Sequence, residues 1–361
     1  MSENSLMTTE PAGRHARHRS RRWTRTVLYV VYLVVLAWLG VKLLWWIRFD
    51  VPLTQTPNAD TVWKSYYPEL WKSGAIESHP ATDDATLDVL LLGGSVLQQV
   101  AQKFESELSA MSARPVRVFS LAASSHTSRD SRNKSWRLRD KPFDWIMFYH
   151  GINDVRMNCC STAEFRQDYS HCAWYDAFSR RLQAGRLTVS SLAVDQLWSQ
   201  TIELGPPKPA QLDWGDELKT PPAFRDNVAA IVAANQRPGQ RVILATFACY
   251  IPENYSRDRF QNHELVYGHG QFELAAELWG KPANVVAGVN AHNQQVREVA
   301  SKYPNTLLVE LAQEIPHSGE NFSDPCHLTD RGCELFVARL LAAVQTLCST
   351  KQTPETPGTI K

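Results

Sequence analysis

Leu87-Asp88-Val89-Leu90-Leu91-Leu92-Gly93-Gly94-Ser95 is the stretch that decides the fold. Five of its first six residues are apolar, so both faces of the segment are apolar, as in a strand covered by helices on two sides. The run ends in two glycines and a serine, which permit a sharp turn, and an amphipathic stretch follows at 96–111. The same alternation recurs downstream. Short apolar runs at 116–121, 145–149, 242–248 and 306–310 interleave with amphipathic stretches at 128–139, 222–235, 285–303 and 329–347. This predicts an α/β fold with five parallel strands between two layers of helices, over residues 86–348. Ligands of such sheets bind beyond the carboxyl ends of the strands. Ser95, Ser125 and Asn153 each fall just past such an end, and His327 follows the last strand after a loop.

The chain has 361 residues, 43% hydrophobic and 21% charged, with a formal net charge of +1, an ordinary globular composition. The charge is unevenly placed. Arg14, Arg17, Arg19, Arg21, Arg22 and Arg25 precede an apolar stretch at 27–47 interrupted only by Lys42. About 20 apolar helical residues match a hydrocarbon core of ~30 Å, Lys42 can snorkel, and Trp45 and Trp46 suit the interfacial belt. No A-x-A-like cleavage site follows, so 27–47 is expected to be an uncleaved transmembrane helix. The arginines then mark the cytoplasmic side, which excludes reading them as a nucleic-acid patch. On this reading 1–26 is a disordered cytoplasmic arm, 48–85 a tether and 349–361 a loose tail. The domain itself lies in the periplasm or outside the cell.

That compartment is oxidising, and the seven cysteines are odd in number, so at least one is unpaired within the chain. Cys159 or Cys160 could pair with Cys172 or with Cys326, whereas Cys326 and Cys333 lie too far apart along a helix. A zinc site from Cys159, Cys160, His171 and Cys172 matches no familiar spacing, so neither a metal nor another cofactor is expected.

Three blocks carry chemistry. Ser95 ends the first strand. Gly151-Ile152-Asn153-Asp154 ends the third, where the Asn153 amide could face a developing oxyanion without adding a charge. Asp324-Pro325-Cys326-His327 places a carboxylate three residues before an imidazole, close enough for Asp324 to orient His327. Each alone has a plain structural reading, as a helix cap, a turn and a solvated pair.

Together, in this order, they resemble the SGNH hydrolase superfamily, the GDSL esterases and lipases, over about 86–347. Further matches are Val116-Arg117-Val118-Phe119-Ser120-Leu121-Ala122 leading to Ser125-His126-Thr127, then Phe224-Arg225-Asp226-Asn227 and Asn290-Ala291-His292-Asn293. Asp324 to Gly332 is the most specific match. The resemblance implies a flavodoxin-like fold with Ser95 as nucleophile, His327 as base and Asp324 as its partner. It also implies an oxyanion hole from the N–H groups of Ser95 and Ser125 and the Asn153 amide, supported by Gly94, Gly151 and Asp154. Two departures stand out. Gly94 replaces the usual Asp of Gly-Asp-Ser, and Ser125 replaces a glycine, with less freedom at positive φ.

The function so implied is removal of acyl groups, O-acetyl above all, from a carbohydrate or other ester. Lipase or thioesterase action, O-acyl transfer to a polysaccharide, and a catalytically silent polysaccharide-binding or assembly role are the alternatives. Trp174 and Trp279, within the long segments 159–218 and 251–282, are candidates for stacking on sugar rings. His126 and His150 read as neighbours of the site rather than ligands.

Overall fold

The computed structural model describes residues 13–49, 52, 54–55, 58–77, 85–184 and 207–349. Five strands form one sheet: β1 (Leu87–Gly93), β2 (Val116–Ser120), β3 (Trp145–Tyr149), β4 (Arg241–Ala245) and β5 (Thr306–Val309). All neighbours are parallel, in the order β2-β1-β3-β4-β5. This is the flavodoxin-like order, whose direction of winding reverses between β1 and β3 and opens a crevice there.

The two faces of each strand feed different layers. Leu87, Val89 and Leu91 of β1 and Trp145 and Met147 of β3 pack with Val96, Val100 and Phe104 of the helix Ser95–Met111 and with Phe336 and Leu340 of Asp330–Ser349. Leu90, Leu92, Ile146 and Phe148 face the other way, onto Phe224, Val228 and Ile231 of the helix Thr220–Ala234. Burial on both sides explains why these strands read as unbroken apolar runs.

The stretch expected to be a tether is built into this second layer. Asn58 caps a helix, Ala59–Tyr66, by accepting from the Thr61 N–H at 3.2 Å. A short helical turn, Glu69–Lys72, follows it. Val62, Trp63, Tyr66, Tyr67 and Leu70 are buried in the core, and Trp63 meets Phe178 edge-on at 5.0 Å between ring centroids. Aromatic burial on this scale outweighs the turn-favouring Pro52, Pro57, Pro68 and Pro80 that the sequence places in this stretch.

The N-terminal helix runs Gly13–Phe49, so it begins well inside the arm expected to be disordered. Arginine is a good helix former and does not stop it. Within it Trp23–Ile47 has the length and apolarity of a membrane span, and equally of a signal sequence. Trp46 is exposed, whereas Trp45 is 2% exposed and joins the cluster of Val62 and Trp63 rather than an interfacial belt. The tail beyond 349 and part of the long segment 159–218 lie outside the described residues.

Candidate active site

β1 delivers Ser95 to the crevice as the first residue of the helix Ser95–Met111, with Gly94 as its N-cap. The Ser95 Oγ lies 2.8 Å from His327 Nε2, and His327 Nδ1 lies 2.7 Å from Asp324 Oδ2. The carboxylate therefore assigns the proton to Nδ1 and leaves the Nε2 lone pair facing the hydroxyl. Asp324 and His327 are essentially inaccessible, at 0% and 1% exposure, so neither can reorient into water.

Asp324 is held from every side. Its Oδ1 accepts from the backbone N–H groups of Cys326 (2.9 Å) and His327 (2.8 Å), and its Oδ2 from that of Leu274 (3.0 Å) as well as from the imidazole. The loop closes on itself where Ser323 N–H donates to the His327 carbonyl at 2.9 Å. Gly332 is required beneath it, because a Cβ there would stand 2.1 Å from the Asn321 carbonyl oxygen.

Asn153 follows β3 in the turn Ile152–Val155. Its Nδ2 donates to the His126 carbonyl at 2.9 Å, and its Oδ1 accepts from the Trp279 indole N–H at 2.9 Å. A side chain at position 94 would bring its Cβ to 3.2 Å from Asn153 Nδ2, so Gly94 keeps the space between Ser95 and the amide open. Ser125 occupies the left-handed region at φ 64°, where the resemblance expects glycine, in a turn pinned to β1 by Ala123 N–H on the Gly93 carbonyl. Ser95, Asn153, Asp324 and His327 are thus brought together at the β1/β3 crevice, with the Ser125 turn beside them.

Two of the supporting residues act at a distance. Gly151 is packed so closely that a Cβ would lie 2.6 Å from Phe247. Asp154 is fully buried and accepts from the Ser128 N–H (2.9 Å), the Ser128 hydroxyl (2.5 Å) and the Tyr169 hydroxyl (2.9 Å), tying the turn after β3 to the helix after β2. Burial pushes its carboxyl up to about 7, against the donated hydrogen bonds that lower it.

Beside the Ser125 turn lies an ionic cluster that the sequence did not signal. The inaccessible Lys134 ammonium donates to the Leu121 carbonyl (2.6 Å), bonds His126 Nδ1 (2.7 Å) and is ion-paired with Glu69 Oε1 at 2.8 Å. Burial, and then the Lys134 charge, lower the His126 pKa and keep its ring an acceptor. Asp130 completes the surroundings, accepting from the Tyr67 (3.0 Å) and Tyr175 (2.6 Å) hydroxyls. His150 is buried against Ser131 Oγ at 2.6 Å, its pKa lowered to about 3 chiefly by burial.

The candidate sugar-stacking rings are otherwise engaged. Trp279 is 3% exposed and serves Asn153, while the Trp174 N–H donates to Asp130 at 3.3 Å and its ring packs on Tyr66 at 4.7 Å. The expected cysteine pairs do not form either: Cys172 Sγ rests on Met157 Sδ (3.3 Å), Cys160 Sγ on the Met157 carbonyl (3.6 Å) and Cys159 Sγ on the Trp279 carbonyl (3.7 Å). His171 instead bonds the Met157 carbonyl at 3.3 Å, so the four residues considered for zinc have separate partners. Among the described residues only Asp324, Cys326 and His327 gather metal-ligand atoms, and two of these are the acid–imidazole pair itself.

Ring contacts add a residue that sequence alone gave no means of finding. Phe272 lies over the His327 imidazole at 4.3 Å between centroids, and comes from the same 251–282 segment as Leu274 and Trp279.

No family model matches the chain, and no curated protein does. Among solved structures it is similar to a lipase/acylhydrolase from Enterococcus faecalis, at 13% identity over 72% of this chain and 95% of that one, with a TM-score of 0.40. A GDSL-like lipase from Bacteroides thetaiotaomicron matches at 12% identity over 78% and 98%, with a TM-score of 0.42. An acetylxylan esterase from Geobacillus stearothermophilus matches at 14% identity over 72% and 95%, with a TM-score of 0.39. All three are named as lipases, acylhydrolases or esterases.

Proposed function

We propose that the chain is a serine esterase of SGNH type, held at a membrane by Trp23–Ile47, that removes short acyl groups, O-acetyl in particular, from a carbohydrate or related ester. The observation that carries the reading is the continuous relay from Ser95 Oγ through His327 to Asp324, at 2.8 and 2.7 Å, in the β1/β3 crevice.

In this mechanism Ser95 Oγ attacks the ester carbonyl as His327 Nε2 takes its proton, and Asp324 steadies the imidazolium. The carbonyl oxygen, now negative, is met by the N–H groups of Ser95 and Ser125 and by Asn153 Nδ2. The first of these sits at the amino end of a 17-residue helix, where the dipole favours negative charge. His327 returns the proton to the departing alcohol, then takes one from the water that cleaves the acyl-enzyme and restores Ser95. Phe272 covers one face of the imidazole.

With the basic stretch ahead of the span held in the cytoplasm, the domain faces a polymer outside the membrane. Acetate release from O-acetylated polysaccharides should depend on Ser95, and Ser95→Ala should also abolish labelling by a fluorophosphonate. Labelling that persists in that variant, or a preference for long-chain over acetyl esters, would overturn the assignment.

A further inference from the structure

The segment between β4 and the helix Pro282–Lys302 reaches the site at three points within eight residues. Phe272 covers the imidazole, the Leu274 N–H holds Asp324 Oδ2 and the Trp279 indole holds Asn153 Oδ1. Its own shape is fixed: Ala276 N–H donates to the Tyr255 hydroxyl at 2.8 Å, which in turn donates to Glu277 Oε2 at 2.9 Å.

An asparagine amide can sit in two orientations that exchange its oxygen and nitrogen, with nearly equal shape. At Asn153 the two neighbours decide between them. The His126 carbonyl can only accept and the Trp279 indole N–H can only donate. A flipped amide would set oxygen against carbonyl oxygen and NH2 against N–H, losing both 2.9 Å bonds and leaving the buried indole N–H unpaired. In the observed orientation one Nδ2 proton is spent on His126, which leaves the other on the Gly94 side for the carbonyl oxygen of a substrate attacked by Ser95.

We infer that Trp279 is a positioning residue: its indole N–H locks the Asn153 amide with nitrogen forward, so that the amide is preorganised as an oxyanion donor. This rests on the esterase reading above. The donor is never asked to turn during the reaction, which is where preorganised electrostatic stabilisation gains its effect.

Trp279→Phe keeps most of the ring and removes the N–H. With p-nitrophenyl acetate, kcat should fall roughly 10- to 100-fold while KM changes less than about twofold, because removing one oxyanion donor outright costs on the order of 100- to 1000-fold. In an Asn153→Ala background the same substitution should cost almost nothing more. An unchanged kcat, or a loss that multiplies fully with that of Asn153→Ala, overturns the inference. Activity that survives Ser95→Ala would instead overturn the esterase reading. Should Trp279→Phe fail to fold, the indole N–H resonance of Trp279 reads the same contact in the native protein. It should shift on Asn153→Ala, and a resonance that stays in place refutes the lock.

Discussion

Glu69 offers the sharpest test of whether 58–77 belongs to the folded domain. Its carboxylate is the counter-charge of Lys134, at 2.8 Å, with side-chain exposures of 14% and 0%. Glu69→Ala removes the carboxylate paired directly with a buried ammonium and leaves it the Leu121 carbonyl, His126 Nδ1 and the Tyr67 ring. Breaking a buried pair by removing one member typically costs about 3–5 kcal/mol, and a domain of this size loses roughly 2–4 °C of Tm per kcal/mol. The expected fall is therefore about 6–20 °C, read by thermal unfolding at pH 7. Replacing both members by apolar residues, Glu69→Leu with Lys134→Met, should recover part of that loss: no ammonium is stranded, but buried Asp130 loses one of the charges that hold its carboxyl down. A Glu69→Ala protein within about 2 °C of the parent would refute the reasoning, and 58–77 would then be the loose connector its prolines suggest.

Asn153→Ala should lower kcat about 100-fold and lower Tm by several degrees, because the buried Trp279 N–H loses its acceptor; a rate within threefold of the parent would remove the amide from the proposed oxyanion hole. Ser125→Gly relieves a left-handed backbone at φ 64°; that relief is worth about 1–2 kcal/mol against a glycine entropy cost of about 0.5–1, so Tm should hold or rise slightly with activity kept. The Asp154 carboxyl is raised from an ordinary 3.8 to about 7, so the folded chain keeps a proton that the unfolded chain releases. Its contribution is complete below about pH 4 and is lost as the pH climbs to 7. Asp154→Asn should accordingly flatten the decline of Tm across that interval, and parallel Tm–pH profiles for the two proteins would contradict the assignment.

The strands were legible because burial on both faces leaves little room for polar residues, and β1, β3 and β4 show it along most of their length. The sheet order was legible only through the family resemblance, which implied the flavodoxin-like order found, since it depends on which helices cross which face. The site residues were legible for a related reason: in a parallel sheet every strand ends at the same rim, so Ser95 and Asn153 needed only to follow a strand to meet. What escaped notice was held by groups with little sequence signature. The Leu274 N–H is backbone, and Trp279 reads as a ring when its indole hydrogen is what reaches Asn153. The helix Ala59–Tyr66 spans eight residues, too few for a 3.6-residue periodicity to stand out beside Pro52, Pro57 and Pro68.

On the proposed esterase reading, the stretch that carries Phe272, Leu274 and Trp279 constrains how the chain could be diversified. Long insertions are where new specificities are usually grafted, on the assumption that the scaffold keeps the chemistry. Here the graft would carry off the backbone N–H that meets Asp324 and the indole N–H that meets Asn153, so a swapped segment must re-create both contacts before selection for a different acyl group can begin.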